Sequence, residues 1–218
     1  MRKILLICFA TLALLLTGLA GYGFMGWNDA VRQADVLRKR ADSVMTAGLG
    51  PDSLTPQQLR VLLLVQDPGF YDHSGVDFST PGAGMTTLTQ SLSKRLAFDK
   101  FTPGIGKIRQ TGFALGLDRQ LSKKQQIALF LQTLEMGQSK SGWVTGFHKA
   151  SETFFDKPVN ETTEEEFYML VAVLIAPNRL KLAQPDATLN TRVQRIAKLA
   201  QGACKPSSFN DVWLEGCK

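Results

Sequence analysis

The chain has 218 residues, 44% of them apolar and 20% charged, so it can bury one substantial core once any membrane segment is set aside. Its formal charge of +6 raises nucleic acid as a partner, but the basic residues are scattered and not interleaved with aromatics as a stacking groove requires, so that partner is excluded. The two histidines, His73 and His148, and the three cysteines fall at no metal-ligand spacing, and the residues predict no metal site.

Residues 1–27 read as an N-terminal transmembrane anchor. An apolar run from Ile4 to Trp27 follows Arg2 and Lys3 and is long enough to cross about 30 Å of hydrocarbon as a helix. The charge pair argues for an N-terminus in the cytoplasm, and Tyr22, Phe24 and Trp27 supply an interfacial belt. Gly18-Leu19-Ala20 leaves a cleaved signal peptide as the rival reading, and under either reading the remainder is exported. Membrane headgroups are the nearer polyanions for such a basic chain.

Residues 28–53 read as a polar stalk or linker, broken at Gly48-Leu49-Gly50-Pro51. Thr55-Pro56 has the look of a capped helix start, and Leu59, Leu62, Leu63 and Val65 give that helix a buried face up to Gln66. A loop rich in Gly, Ser, Thr and Pro spans 70–84, and further helices are predicted over 86–98, 107–118, 123–135, 149–155, 163–175 and 190–201. Thr163 with Glu166 forms a capping-box pattern. Trp143, Phe154 and Phe155 read as core. No strand alternates persuasively, so the expected fold class is all-α, with a domain over 54–186 and a C-terminal helix and tail over 187–218. Cys204 and Cys217 close a short loop if oxidised; two unrelated thiols in a frayed tail are the alternative.

Two blocks carry the chemistry. The first is Gln66-Asp67-Pro68-Gly69-Phe70-Tyr71-Asp72-His73-Ser74-Gly75, and the second is Gly84-Met85-Thr86-Thr87-Leu88-Thr89-Gln90-Ser91-Leu92-Ser93-Lys94. Together they resemble the paired signature of the family 51 peptidoglycan glycosyltransferases, whose first block begins Glu-Asp-x-x-Phe-x-x-His-x-Gly. Gly106-Lys107-Ile108-Arg109-Gln110 stands where that family writes Arg-Lys-x-x-Glu, and Gln126 to Gln132 answers to Ile-Leu-Glu-x-Tyr-Leu-Asn. Segments at 154–158 and 172–178 resemble those that close the family's domain, and the order is kept throughout.

The resemblance implies a lysozyme-like, mostly helical fold with a cleft for a lipid-linked glycan donor beside a lipid II acceptor. It also implies a single-pass protein of the cytoplasmic membrane, its domain on the periplasmic or extracellular side, with lipid II, glycan strands and cell-wall synthesis proteins as partners. No cofactor is implied beyond a divalent cation at the pyrophosphate. Carried over position by position, Gln66 and Gln110 stand at the two catalytic Glu positions. Asp67 stands beside the first, and His73, Thr86, Thr87, Thr89, Gln90, Lys94, Lys107 and Arg109 are candidate substrate contacts.

In such a reaction the acceptor 4-hydroxyl loses a proton as it attacks, and a positioned base is worth about 100 to 10,000-fold. An amide keeps hydrogen bonding but has no titratable proton near neutral pH. Two functions therefore stand. The chain is a degenerate relative that grips lipid II or nascent strands without turnover, or an active polymerase using a substitute base among Asp67, Asp72, Asp77 and His73.

Overall fold

Capping chemistry sets where the helices begin. In the computed structural model, which describes residues 2–218, Thr55, Thr87, Ser122 and Thr163 each accept a bond from the amide three residues on. Gln58, Gln90, Gln125 and Glu166 return a side-chain bond to the cap amide, closing four capping boxes. Each such cap contributes about 1 kcal/mol. The helices they start are α2 (Pro56–Gln66), α3 (Leu88–Ala97), α5 (Lys123–Thr133) and α7 (Glu164–Val173). Around them lie α1 (Arg2–Thr46), α4 (Gly106–Gln120), α6 (Phe147–Phe155) and α8 (Ala187–Ala200).

The fold is mostly helical, as the periodicity predicts, with one correction. Residues 135–145, expected to finish a helix and start a loop, form an antiparallel hairpin of β1 (Glu135–Ser139) and β2 (Gly142–Thr145). The register shifts between Glu135 and Gly137, and Gly137 and Gly142 sit at φ of 102° and 127°, where a side chain is strained. A hairpin this short and this rich in Gly and Ser shows no alternation to read. Trp143, expected in the core, is 40% exposed on it and donates its indole N–H to Glu135.

Residues 28–53 are not a free stalk. α1 is one helix that carries its apolar run into the body, where Gly26, Ala30, Ala34, Leu37, Ala41 and Val44 repeat at helical spacing and are buried. It packs on α4 and α5. The approach is backbone to backbone: a Cβ on Gly26 would stand on the Arg109 carbonyl, and one on Gly112 would stand on the Gly23 carbonyl. Arg109 then ties the two helices through a 2.6 Å bond to Asp29, which holds its guanidinium above its ordinary pKa.

α5 is buried all round over Ile127 to Leu131, the mark of a central helix. The tail belongs to the same core, which includes Leu189, Ile196, Leu199, Leu214 and Cys217. Cys204 and Cys217 are joined by a disulfide across a Cα–Cα distance of 5.3 Å.

Gly112→Ala is expected to wedge α1 off α4, lowering stability by about 1–3 kcal/mol. Thermal unfolding of the full chain in detergent reads this, and an unchanged midpoint would contradict the close packing.

Candidate functional site

Helix α2 delivers Gln66, its last residue, to the junction of two cavities of about 610 and 330 Å3, and Gln66 lines both. The capped start of α2 and its buried Val61, Leu62 and Val65 fix where this end falls. Ser91, Lys94 and Arg95 of α3 wall the larger cavity, facing Gln132, Glu135 and Asp99. The smaller cavity runs between Thr86-Thr87 and the pair Arg192 and Val212.

The cleft is cationic. Arg95 donates Nε to Thr133 Oγ1 at 3.0 Å and Nη1 to Ser91 Oγ at 2.7 Å, and its guanidinium lies 5.0 Å from the centre of the Phe130 ring. Its Nη2 is buried with no partner. Burial pulls its pKa down to about 10, against the pull of Glu135, so it stays charged at neutral pH. Thr86 of the smaller cavity accepts at Oγ1 from Lys107 Nζ at 2.8 Å, and Lys107 itself lines neither cavity. Its pKa is lowered by burial first and by the nearby ammonium of Lys94 second.

Most of the other expected contacts serve the fold instead. Thr87 and Gln90 cap α3, with Thr87 Oγ1 also donating to the Gly75 carbonyl at 2.8 Å and Gln90 Nε2 to Thr111 Oγ1 at 3.0 Å. Thr89, fully buried, donates to Gln126 Oε1 at 2.8 Å. Arg109 is occupied by Asp29. Gln110 is 2% exposed and lines neither cavity: its Nε2 donates to the Gln90 carbonyl at 2.6 Å, and its Oε1 is buried without a partner.

The expected substitute bases are likewise engaged or outside the cleft. Asp67 is 0% exposed, accepting from Leu88 N at 2.8 Å and from His73 Nε2 at 3.0 Å. His73 Nδ1 accepts from Gly75 N at 3.0 Å, which puts the ring proton on Nε2 and leaves neither nitrogen free. Asp77 closes a turn on Ser79 and Thr80. Burial alone would raise its carboxyl, but hydrogen bonds from those residues together outweigh it and hold the pKa at about 2. Asp72 is exposed, and none of Asp67, His73, Asp72 and Asp77 lines either cavity.

The acids that do line the larger cavity, Asp99 and Glu135, escape sequence reasoning. Asp99 lies just past α3, and the hairpin bulge brings Glu135 round. Arg95 had a signal, since it directly follows Lys94 in the second block. Among the described residues no group of three or more His, Cys, Asp or Glu could hold a metal ion. A divalent cation here would draw most of its oxygen shell from a bound pyrophosphate.

A family described as "Transglycosylase" matches residues 35–201 of the chain. Among similar proteins, "Penicillin-binding protein 1B" of Buchnera aphidicola (subspecies Acyrthosiphon pisum) is 33% identical over 138 residues, covering 57% of this chain and 18% of the relative. "Biosynthetic peptidoglycan transglycosylase" of Escherichia coli is 25% identical over 154 residues, covering 65% and 62%. "Penicillin-binding protein 1F" of Bacillus subtilis is 28% identical over 167 residues, covering 69% and 23%. The chain thus spans a small part of the penicillin-binding proteins and less than two thirds of the E. coli relative.

Gln110→Glu places an acceptor-only group against the Gln90 carbonyl and should cost about 1–3 kcal/mol at neutral pH. Burial raises that carboxyl's pKa, so the loss appears as pH rises through the raised value and fades below about 4.3, where the group is protonated in both states. Denaturant melts at two pH values check it. The depressed Asp77 carboxyl has the opposite sign: its stabilisation is intact above the ordinary value of 3.8 and disappears as pH falls toward about 2. Amide shifts of Ser79 and Thr80 should move over that window in the native chain and stay flat in Asp77→Asn.

Proposed function

This chain belongs to the transglycosylase family, and from that premise we propose that it is a membrane-anchored, peptidoglycan glycosyltransferase-like protein that grips lipid II and nascent glycan strands without turnover. The observation that carries the reading is Gln66. With Ser91, Leu174 and Ile175 it lines both cavities, and it occupies the position at which the resemblance expects a catalytic carboxylate.

The chemistry runs as follows. A lipid-linked pyrophosphate brings negative charge, which fixed cations stabilise, and Lys94 and Arg95 supply them. Gln66 and Ser91 offer hydrogen bonds to sugar hydroxyls. What the amide cannot do is accept the proton of an attacking 4-hydroxyl, so ligand binds and no glycosidic bond forms.

Anchoring rests on the N-terminal helix, which is long and apolar enough to cross a membrane by length and composition. Residues 1–27 form the span, residues 54–186 the glycosyltransferase-like domain, and residues 187–218 its C-terminal extension. Arg2 and Lys3 keep the N-terminus in the cytoplasm, placing the domain on the outer side. The disulfide agrees with an oxidising compartment.

One observation favours a second reading, an active polymerase: Asp99 and Glu135 line the same cavity as Gln66. Under that reading one of them, and not Asp67, Asp72, Asp77 or His73, is the base.

Incubation of the purified chain with lipid II decides between them. The expected outcome is saturable binding with no strand longer than the substrate, and gain of polymer in Gln66→Glu. Polymer from the unmodified chain, abolished in Glu135→Gln or Asp99→Asn, would establish the second reading; absence of binding would remove the first.

A further inference from the structure

The stretch from Asp77 to Thr87 lacks regular structure, and part of what holds it comes from the far end of the chain. Gly82 N donates to the Ser208 carbonyl at 3.0 Å, and Gly84 N to the Phe209 carbonyl at 2.9 Å. Both glycines have positive φ, 82° and 64°, and a Cβ on either would press into Pro206 or Val212. Two positions that only glycine fills without strain thus leave room to seat the tail.

The tail is itself closed and stiff. The Cys204–Cys217 bond ties its ends. Within it the Asp211 carboxylate accepts from the amides of Ser207, Glu215 and Gly216 at 2.8, 2.6 and 2.9 Å. Arg192, 2% exposed, donates Nε to the Ala172 carbonyl at 3.1 Å and Nη1 to the Val212 carbonyl at 3.0 Å, pinning the tail to the core. Val212 and Arg192 then line the smaller cavity together with Gln66, Thr86 and Thr87. The family match ends at residue 201, so the tail itself lies outside it.

We propose that the disulfide-closed tail, residues 204–217, is a positioning element of the cleft. It holds the 80–87 loop at the depth where Thr86 and Thr87 line the smaller cavity, and it supplies Val212 as that cavity's wall. The consequence for ligand grip rests on the reading of this chain as a lipid II binder; the consequence for the loop does not.

The test uses the full chain in detergent, comparing the native protein with Cys204→Ser/Cys217→Ser and with Val212→Ala. In the double serine variant the amides of Gly82 and Gly84 should exchange about tenfold faster while those of α5 are unchanged, since a local clasp and not the core has been released. Lipid II affinity should fall about three- to tenfold in that variant. In Val212→Ala it should fall with the disulfide intact. Unchanged exchange at Gly82 and Gly84 overturns the proposal, and so does faster exchange with unaltered lipid II affinity. If the serine pair loosens the whole core, the Val212→Ala affinity decides. If the native chain binds no lipid II, the proposed function fails, and the exchange comparison alone decides the role of the tail.

Discussion

A single buried carboxylate organises the site. Asp67 follows the last residue of α2, accepts from the first amide of α3, and accepts a hydrogen bond from His73 Nε2, so that two helices and the intervening loop meet on one side chain. Burying an ion is expensive unless its lone pairs are filled, and here the positive end of α3 and the imidazole fill them. Gln66 is the neighbour of that knot, and Ser91, Lys94 and Arg95 project from α3, whose first amide donates to Asp67. The cleft is therefore as well defined as Asp67 is satisfied. The same satisfaction disqualifies Asp67 and His73 from proton transfer, since both are consumed in building the place where transfer would occur.

The electrostatics of the cleft follow from an unequal set of charges. Lys94, Arg95 and Lys107 crowd one region closely enough that Lys94 depresses the Lys107 ammonium, and the Arg95 guanidinium keeps one nitrogen without a partner. With an amide at position 66, the counter-charge within the cavity comes from Asp99 and Glu135 alone. Such a site favours an incoming anion, and it favours it whether or not a bond is subsequently made. Attraction of an anion and proton transfer are thus separable properties of one surface.

How much of this was legible depends on where each partner sits. Thr55-Pro56 and Thr163 with Glu166 announce helix starts because the cap and its responder are local in sequence, and the end of α2 at Gln66 follows from them. Thr89, Gln90, Arg109 and Gln110 read as ligand contacts because a polar group at a motif position looks the same whether its partner is a sugar or another helix. Only tertiary packing shows that Gln126, Thr111, Asp29 and the Gln90 carbonyl are those partners. The packing of residues 28–46 was hidden for a related reason: its buried Ala30, Ala34 and Ala41 are too small to stand out as a hydrophobic stripe, yet the small Ala30 is what lets Gly116 of α4 come close. Glu135 was hidden because a bulge in an inconspicuous hairpin turns it toward the cavity.

The unbroken course of α1 sets a mechanical limit. A helix of 45 residues is about 67 Å long, and its second half is locked into the body by glycine contacts and the Asp29–Arg109 bridge. No swivel separates the two halves. Whatever grasps the first half therefore dictates the tilt and altitude at which the cleft opens, and the domain patrols one fixed layer instead of sweeping a volume as a ball on a string would.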